Sequence, residues 1–319
     1  MNNQAYQALL FEIQEAFPKK SLMVSTLVDI LKIDKGAVYR RLREEVPFTF
    51  NEIITIAKHL KISLDNLIDV EKQHTIPFQL KLPDYTSPED NDYYVFEVYI
   101  KYLRSFNQSE NSETVSVTNV FLHDLSYEFH SLYLFDLFKW NFHRNDDKVK
   151  SYHQISVSPK MKRILMEFSM EMKNFNKTCY IFDSKIFRLL VNDIQYFNSI
   201  RLIKKEDILK LKEELLSVLD YLEKIAITGQ FKETGKAVSL YISDIDIVTN
   251  YTYLEAENIY SCMVKTFILS AFSSLNEKTF DLMKKWVRSL IKVSTLITLT
   301  NEKQRVLYFE KQRKIIDEL

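Results

Sequence analysis

The chain has 319 residues, of which 46% are apolar and 27% charged, with 43 basic side chains against 43 acidic ones. That length suggests about two domains, and the apolar share suffices for real cores, which excludes wholesale disorder. A net charge of zero excludes a general polyanion binder, so any grip on nucleic acid has to come from a local basic patch.

Two cysteines, Cys179 and Cys262, stand far apart in sequence. They exclude a Cys-rich zinc module and a disulfide framework, and read as buried small hydrophobes in a reducing compartment. The opening M-N-N-Q-A-Y-Q-A-L-L has neither the basic region nor the cleavage pattern of a signal peptide. No apolar run reaches the ~18 residues of a membrane span. The expected location is a bacterial-type cytoplasm, without a membrane partner.

From the N-terminus, Tyr6, Leu9, Leu10, Ile13, Ala16 and Phe17 recur at helical spacing, and Pro18 ends that helix. Ser21 offers a cap for a second helix reaching Leu31, with Val24, Leu27, Val28 and Leu31 as its stripe. A K-I-D turn follows, with Ile33 plugging the core and Asp34 placed to cap a third helix to about Glu44. Val38 and Leu42 of that helix face inward, while Lys35, Tyr39, Arg40 and Arg43 lie on or beside its outer face. Pro47 closes the unit. Thr49 or Asn51 caps a fourth helix with Ile53, Ile54, Ala57 and Leu60 as its apolar face, and Ser63 starts a fifth with Leu64, Leu67 and Ile68.

The stretch L-V-D-I-L-K-I-D-K-G-A-V-Y-R-R-L from Leu27 and the tail A-K-H-L-K-I-S-L-D-N-L from Ala57 resemble the lambda-repressor-like helix-turn-helix family, phage-repressor regulators that put one helix into the major groove of DNA. The resemblance covers about the first fifth of the chain and implies a five-helix DNA-binding domain. By the family's motif, Lys35, Gly36 and Arg40 fall where side chains face the bases, and Tyr39, Arg43 and Thr26 fall near backbone-contacting positions. Arg41 fits either role. Three departures stand out. Lys32 replaces the usual turn glycine, Val28 the small residue at the helix contact, and Val24 a polar residue that touches a phosphate.

The chemistry of the stretch agrees. From Lys32 to Arg43 there are five basic residues and one acid, Asp34, a local excess of four in a neutral chain. Clustered charge neutralises phosphates, and the planar fork of arginine meets guanine O6 and N7 together. A solvated helix face is the bland account of R-R-L-R, but its place on the second helix of the motif favours double-stranded DNA as the partner.

Residues 71–92 hold three of the six prolines and read as a semi-extended linker between a DNA-binding domain (1–70) and a C-terminal dimerisation or sensor domain (93–319). Beyond it, Y-Y-V-F-E-V-Y-I-K-Y-L from Tyr93 and Y-E-F-H-S-L-Y-L-F-D-L-F from Tyr127 read as buried helices, and Lys204 to Ile225 as an amphipathic one with Ile208, Leu211, Leu215, Leu219 and Leu222 as its stripe. After Gly229 and Gly235 the period changes. Val238 to Ile247 alternates as a strand, N-Y-T-Y-L-E follows as its plausible partner, and M-V-K-T-F-I-L-S-A-F from Met263 fits a third strand or a helix. Helices are expected from Glu277 to Thr295 and from Asn301 onward. The fold class expected is mainly α: a five-helix unit plus a larger α-rich α+β domain with a small antiparallel hairpin or meander.

Little else carries chemistry. With only Gly36, Gly229 and Gly235, phosphate-cradling glycine loops are excluded. His123 and His130, with Asp124 and Glu128, miss the spacing of metal-binding helices and read as surface or capping histidines. Asp244 and Asp246 would share one face of a strand, and two outward acids are the ordinary account of them. No nucleophile motif is present, so no enzyme, metal or cofactor is expected. The dense aromatics read as core plus dimer face, with lining for a small-molecule or peptide effector as the alternative. The function expected is a homodimeric, sequence-specific transcriptional regulator on an inverted-repeat operator. The alternative is an antitoxin-like or scaffold module whose helix-turn-helix has lost specific binding.

Overall fold

The computed structural model describes residues 4–17, 19–60, 62, 64, 78–85, 87–121, 123–144, 151–257, 259–266 and 270–319. The chain divides into two compact units, Met1–Pro77 and Phe78–Leu319.

The first unit contains α1 (Gln4–Glu15), α2 (Lys20–Leu31), α3 (Lys35–Leu42) and α4 (Phe50–Leu60). Leu9, Leu10 and Ile13 of α1 meet Met23, Val24 and Leu27 of α2, Val38 of α3, Phe48 and Ile56 in one core. α2 starts one residue ahead of Ser21, and no side chain caps it. The expected fifth helix from Ser63 lies, apart from Leu64, outside the described residues. So do residues 71–77 of the expected linker.

The second unit begins with β1 (Gln79–Leu80) and α5 (Asp90–Asn107). Within the stretch expected to link the domains, Gln79 and Leu80 pair with Ser273 and Phe272, and Tyr85 is buried with its hydroxyl 2.7 Å from Ser270 Oγ. β2 (Glu113–Thr118), α6 (His123–Ser126), α7 (His130–His143), α8 (Pro159–Lys173) and β3 (Lys177–Asp183) follow. Then come α9 (Ile186–Ser199), α10 (Lys205–Thr228), β4 (Ala237–Ser243), β5 (Tyr251–Ala256), β6 (Ile259–Lys265) and β7 (Ala271–Ser274). α11 (Glu277–Ile291), β8 (Ser294–Leu296) and α12 (Glu302–Ile316) complete it.

These strands form one eight-stranded mixed sheet in the order β1-β7-β6-β5-β2-β3-β4-β8. β2, β3 and β4 run parallel at its centre, because helices carry the chain back after β2 and again after β3. This overturns the expected mainly α class with a small hairpin or meander: the unit is α+β around a large sheet. It also overturns the expected hairpin. β4 and β5 are consecutive in sequence, yet β3 and β2 lie between them. The segment expected to remain helical through Thr295 turns instead into β8, which pairs with β4.

The two faces of the sheet are covered unequally. On one, Tyr180 and Phe182 of β3 and Val238 and Leu240 of β4 join the main core with the inner faces of α5, α7, α8, α9, α10 and α12. All five stripe residues of α10 are buried there. On the other, Val115, Val117, Ile181, Tyr253 and Cys262 meet Phe280 and Val287 of α11. The aromatic runs thus fill the core: Phe138 contacts Phe197 with ring centroids 4.9 Å apart, edge to face. Burial pushes the Cys179 thiol up to about 12 and that of Cys262 up to about 11, as suits packed, unreactive thiols.

Helix ends follow their local chemistry. Ser158 accepts from the Met161 amide at 3.1 Å with Pro159 in the first turn of α8, and Asn276 accepts from the Thr279 amide at 3.0 Å to cap α11. Gly229 ends α10 at φ 71°, where a Cβ would stand 2.8 Å from Leu299 Cδ1. A side chain there meets both left-handed strain and a clash. Gly229→Ala is therefore expected to lower the stability of the chain by about 1–3 kcal/mol, read as a lower urea midpoint at unchanged slope.

Candidate nucleic-acid interface

α2, the turn and α3 set up the basic surface. Lys32 closes α2 at φ 55°, ψ 37°, the left-handed conformation that glycine adopts without penalty, and its amide bonds Val28 O at 2.9 Å. Asp34 then caps α3 by accepting from the Ala37 amide at 2.9 Å. Val24 is buried, so no phosphate contact is made from that position.

At 3.6 residues per turn, Ala37, Val38, Arg41 and Leu42 share the inner arc of α3, while Lys35, Gly36, Tyr39, Arg40 and Arg43 share the outer one. Burial agrees: Ala37 and Val38 are buried, Lys35, Gly36, Arg40 and Arg43 are exposed, and Tyr39 is half-buried. Thr26, half-buried, sits on α2 rather than α3. Arg43 stands just past the last turn of α3, where Glu45 pairs with it at 3.2 Å; both partners are solvent-exposed, so the pair is weak. The helix ends at Leu42 because Arg43 leaves helical geometry and Glu44 turns left-handed at φ 63°.

Arg41, which suited either role in the sequence, is a structural residue. Its guanidinium donates to both oxygens of Glu52 on α4, Nε at 3.0 Å and Nη2 at 2.9 Å. Glu52 also accepts from the Thr49 amide at 2.7 Å, and Thr49 Oγ1 accepts from the Glu52 amide at 3.3 Å. Thr49, one of the two caps expected from the sequence, forms a capping box with Glu52, whose part in it is not assigned from the sequence. Ile56 was likewise absent from the expected apolar face of α4, yet it is fully buried. Burial alone would raise the Glu52 carboxyl, but the bonds from Arg41 and Thr49 outweigh it and hold the group below its ordinary 4.5.

The rival sites do not assemble. Asp244 and Asp246 lie past the end of β4, where Asp246 pairs with Lys185 at 2.6 Å and Asp244 accepts from Thr295 at 3.4 Å. His123 and His130 belong to two different helices, α6 and α7. Among the described residues no group of three or more His, Cys, Asp and Glu side chains is placed to hold a metal, and no helix is long and apolar enough to cross a membrane.

With this geometry in view, comparison with known families is direct. Residues 14–92 match the BetR domain, and are thereby similar to a helix-turn-helix type of domain. The match takes in all of α2, α3 and α4 and runs on to the start of α5. No curated protein and no solved structure matches the chain.

Two outcomes follow for the folding of the first unit. Lys32→Gly relieves the left-handed strain and is expected to stabilise the unit by about 0.5–1 kcal/mol after the added chain entropy of glycine. Glu52→Gln removes a carboxylate whose folded pKa is depressed. In the native chain that contribution is complete above 4.5 and is lost as pH falls through the lower folded value. Protection factors of the α3 and α4 amides, taken relative to the intrinsic exchange rate at each pH, are therefore expected to fall on acidification below 4.5 in the native chain, and to depend less on pH in Glu52→Gln.

Proposed function

We propose that the chain is a sequence-specific transcriptional regulator of the lambda-repressor-like type, acting as a homodimer in the cytoplasm. α3 is the recognition helix. Lys35 and Arg40 reach base edges, Gly36 lets the backbone approach the groove, and Tyr39, Arg43 and Thr26 contact phosphates. The observation that carries this reading is the division of labour on α3: Arg41 is bound inward by Glu52, while Lys35 and Arg40 are exposed on the opposite arc. A neutral chain that spends one arginine on holding the helix and leaves further cations outward has concentrated its positive field where phosphates would lie.

The operator of such a dimer is an inverted repeat with about 10 bp between half-site centres, one turn of duplex. The second unit holds the dimer together or responds to an effector. The test is selection of bound sequences from random DNA by the full chain, followed by salt-dependent affinity for the selected site against bulk DNA. Arg40→Ala is expected to cost about 1–3 kcal/mol on the selected site and to relax preference at one base pair. Tyr39→Phe is expected to weaken all sequences alike. Binding without sequence preference, or native affinity in Arg40→Ala, overturns this assignment and leaves a protein-interaction module as the alternative.

A further inference from the structure

The helix-covered face of the sheet carries an amine that the DNA reading does not use. Lys265 ends β6. Side chains alternate along a strand, so Lys265 shares the face of Met263, whose sulfur accepts from the Tyr99 hydroxyl of α5 at 3.2 Å. Ala271, its partner on β7, packs against the same main core. The Lys265 side chain is half-buried, and among the described residues its amine makes neither an ion pair nor a hydrogen bond. Burial pushes its pKa below the ordinary 10.5, and the pull of Asp124 offsets only part of that.

Asp124 of α6 is itself only 2% exposed. Its Oδ2 accepts from the Tyr180 hydroxyl at 2.8 Å, while its Oδ1 has no partner. A buried oxygen without a donor is costly, and beside an unpaired amine it marks a place for a group that serves both. Room for such a group exists nearby. A cavity of about 210 Å³ has on its wall Thr266, the residue after Lys265, and Phe121, three residues before Asp124. Trp140, Ile186 and Leu190 make much of the remaining wall apolar.

The lysine on that wall is of a different kind. Lys139 lies 3.1 Å from Asp193 and 3.4 Å from Asp136. Burial alone would lower its pKa, but the carboxylates outweigh it and the value is raised, so Lys139 holds its proton. Lys265 lacks such a clamp. An unpaired amine against apolar surroundings is the arrangement that turns lysine into a nucleophile, and its natural electrophile is a carbonyl carbon.

We infer that Lys265 captures a small aldehyde on a compact apolar body as an imine, with Oδ1 of Asp124 relaying the protons. The nitrogen lone pair forms a bond to the carbonyl carbon. Asp124 takes one proton from nitrogen and returns it to the former carbonyl oxygen, which gives a carbinolamine. The second proton follows the same route, the C–O bond breaks, and the C=N bond forms as water leaves. Both amine protons end on that water, and nothing is oxidised or reduced. The cavity volume is that of about seven water molecules in the liquid, which limits the body to a single ring or a short branched chain. This chemistry belongs to the second unit and does not rest on the regulatory reading.

Benzaldehyde is the probe. The full chain at pH 7, with no DNA present, is mixed with benzaldehyde and quenched with borohydride at set times, and peptide mass spectrometry gives the imine occupancy at each lysine. At low benzaldehyde, occupancy at Lys265 is expected to exceed that at any exposed lysine by at least about tenfold, the gain in free amine for each unit of lowered pKa. It is expected to saturate below about 10 mM, where exposed lysines still rise linearly. Asp124→Asn is expected to slow the approach to the plateau at Lys265 by at least about tenfold and to leave exposed lysines unchanged. A circular dichroism melt verifies that this variant folds. Occupancy at Lys265 no higher than at exposed lysines, preferential labelling of Lys139, a linear rise at Lys265, or a native rate in folded Asp124→Asn each overturn the inference. The first three are read in the native chain, so they decide the matter even where the variant does not fold. None bears on operator binding, which is measured without aldehyde.

Discussion

The carboxylate of Glu52 ties α4 to α3 in the first unit. It completes the first turn of α4 through Thr49 and receives the fork of Arg41 from α3. A bidentate arginine–carboxylate pair fixes direction as well as distance, so α3 is fixed in rotation about its own axis as well as in position. Its remaining cations can then point outward only because this one points inward. Tyr6 adds a second tie, its hydroxyl accepting from the Phe48 amide at 2.9 Å and so anchoring the turn between α3 and α4 to α1. The basic arc is thus a consequence of how the inner arc is held.

This arrangement explains how much of the motif could be read in advance. Periodicity located α1 to α4 and residue type the cap at Asp34, since these depend on residues at most a few positions apart, while the turn at Lys32 was marked by the resemblance, whose usual glycine it replaces. The role of Arg41 could not be read, because its partner lies eleven residues away on a different helix and meets it only once α4 crosses α3. Nor was there a sequence signal to choose Thr49 over Asn51 as the cap, beyond the spacing of Thr49 to Glu52. The two fit together only when both are placed.

The second unit shows the opposite balance. Its helices α5, α7, α10, α11 and α12 were legible, while α6, α8, α9 and most of the sheet were not. β2 turns only Val115 and Val117 toward α11 and sets the buried Thr114, Ser116 and Thr118 on the face of the main core, so its apolar signal is just two residues, and Ser116 bonds Thr252 across the sheet at 3.0 Å. β3 reads as a short apolar run, ambiguous by itself between strand and helix. The parallel pairings among β2, β3 and β4 join residues some sixty positions apart through helical crossovers, and no local pattern records them. By contrast β4 and β5, adjacent in sequence and both alternating, suggested a hairpin that the inserted β2 and β3 prevent.

The entry of the chain into the second unit has a mechanical side. Among the described residues of this stretch only Gln79 and Leu80 pair with the sheet, along its outermost seam, whereas Tyr85 a few residues on is locked between Phe96 and Trp140 with its hydroxyl against Ser270. A two-residue seam unzips under little load, and a buried ring does not. Tension arriving along the backbone from residue 77 would therefore pay out a short, fixed length of slack, about 20–25 Å at full extension, and then stop at Tyr85.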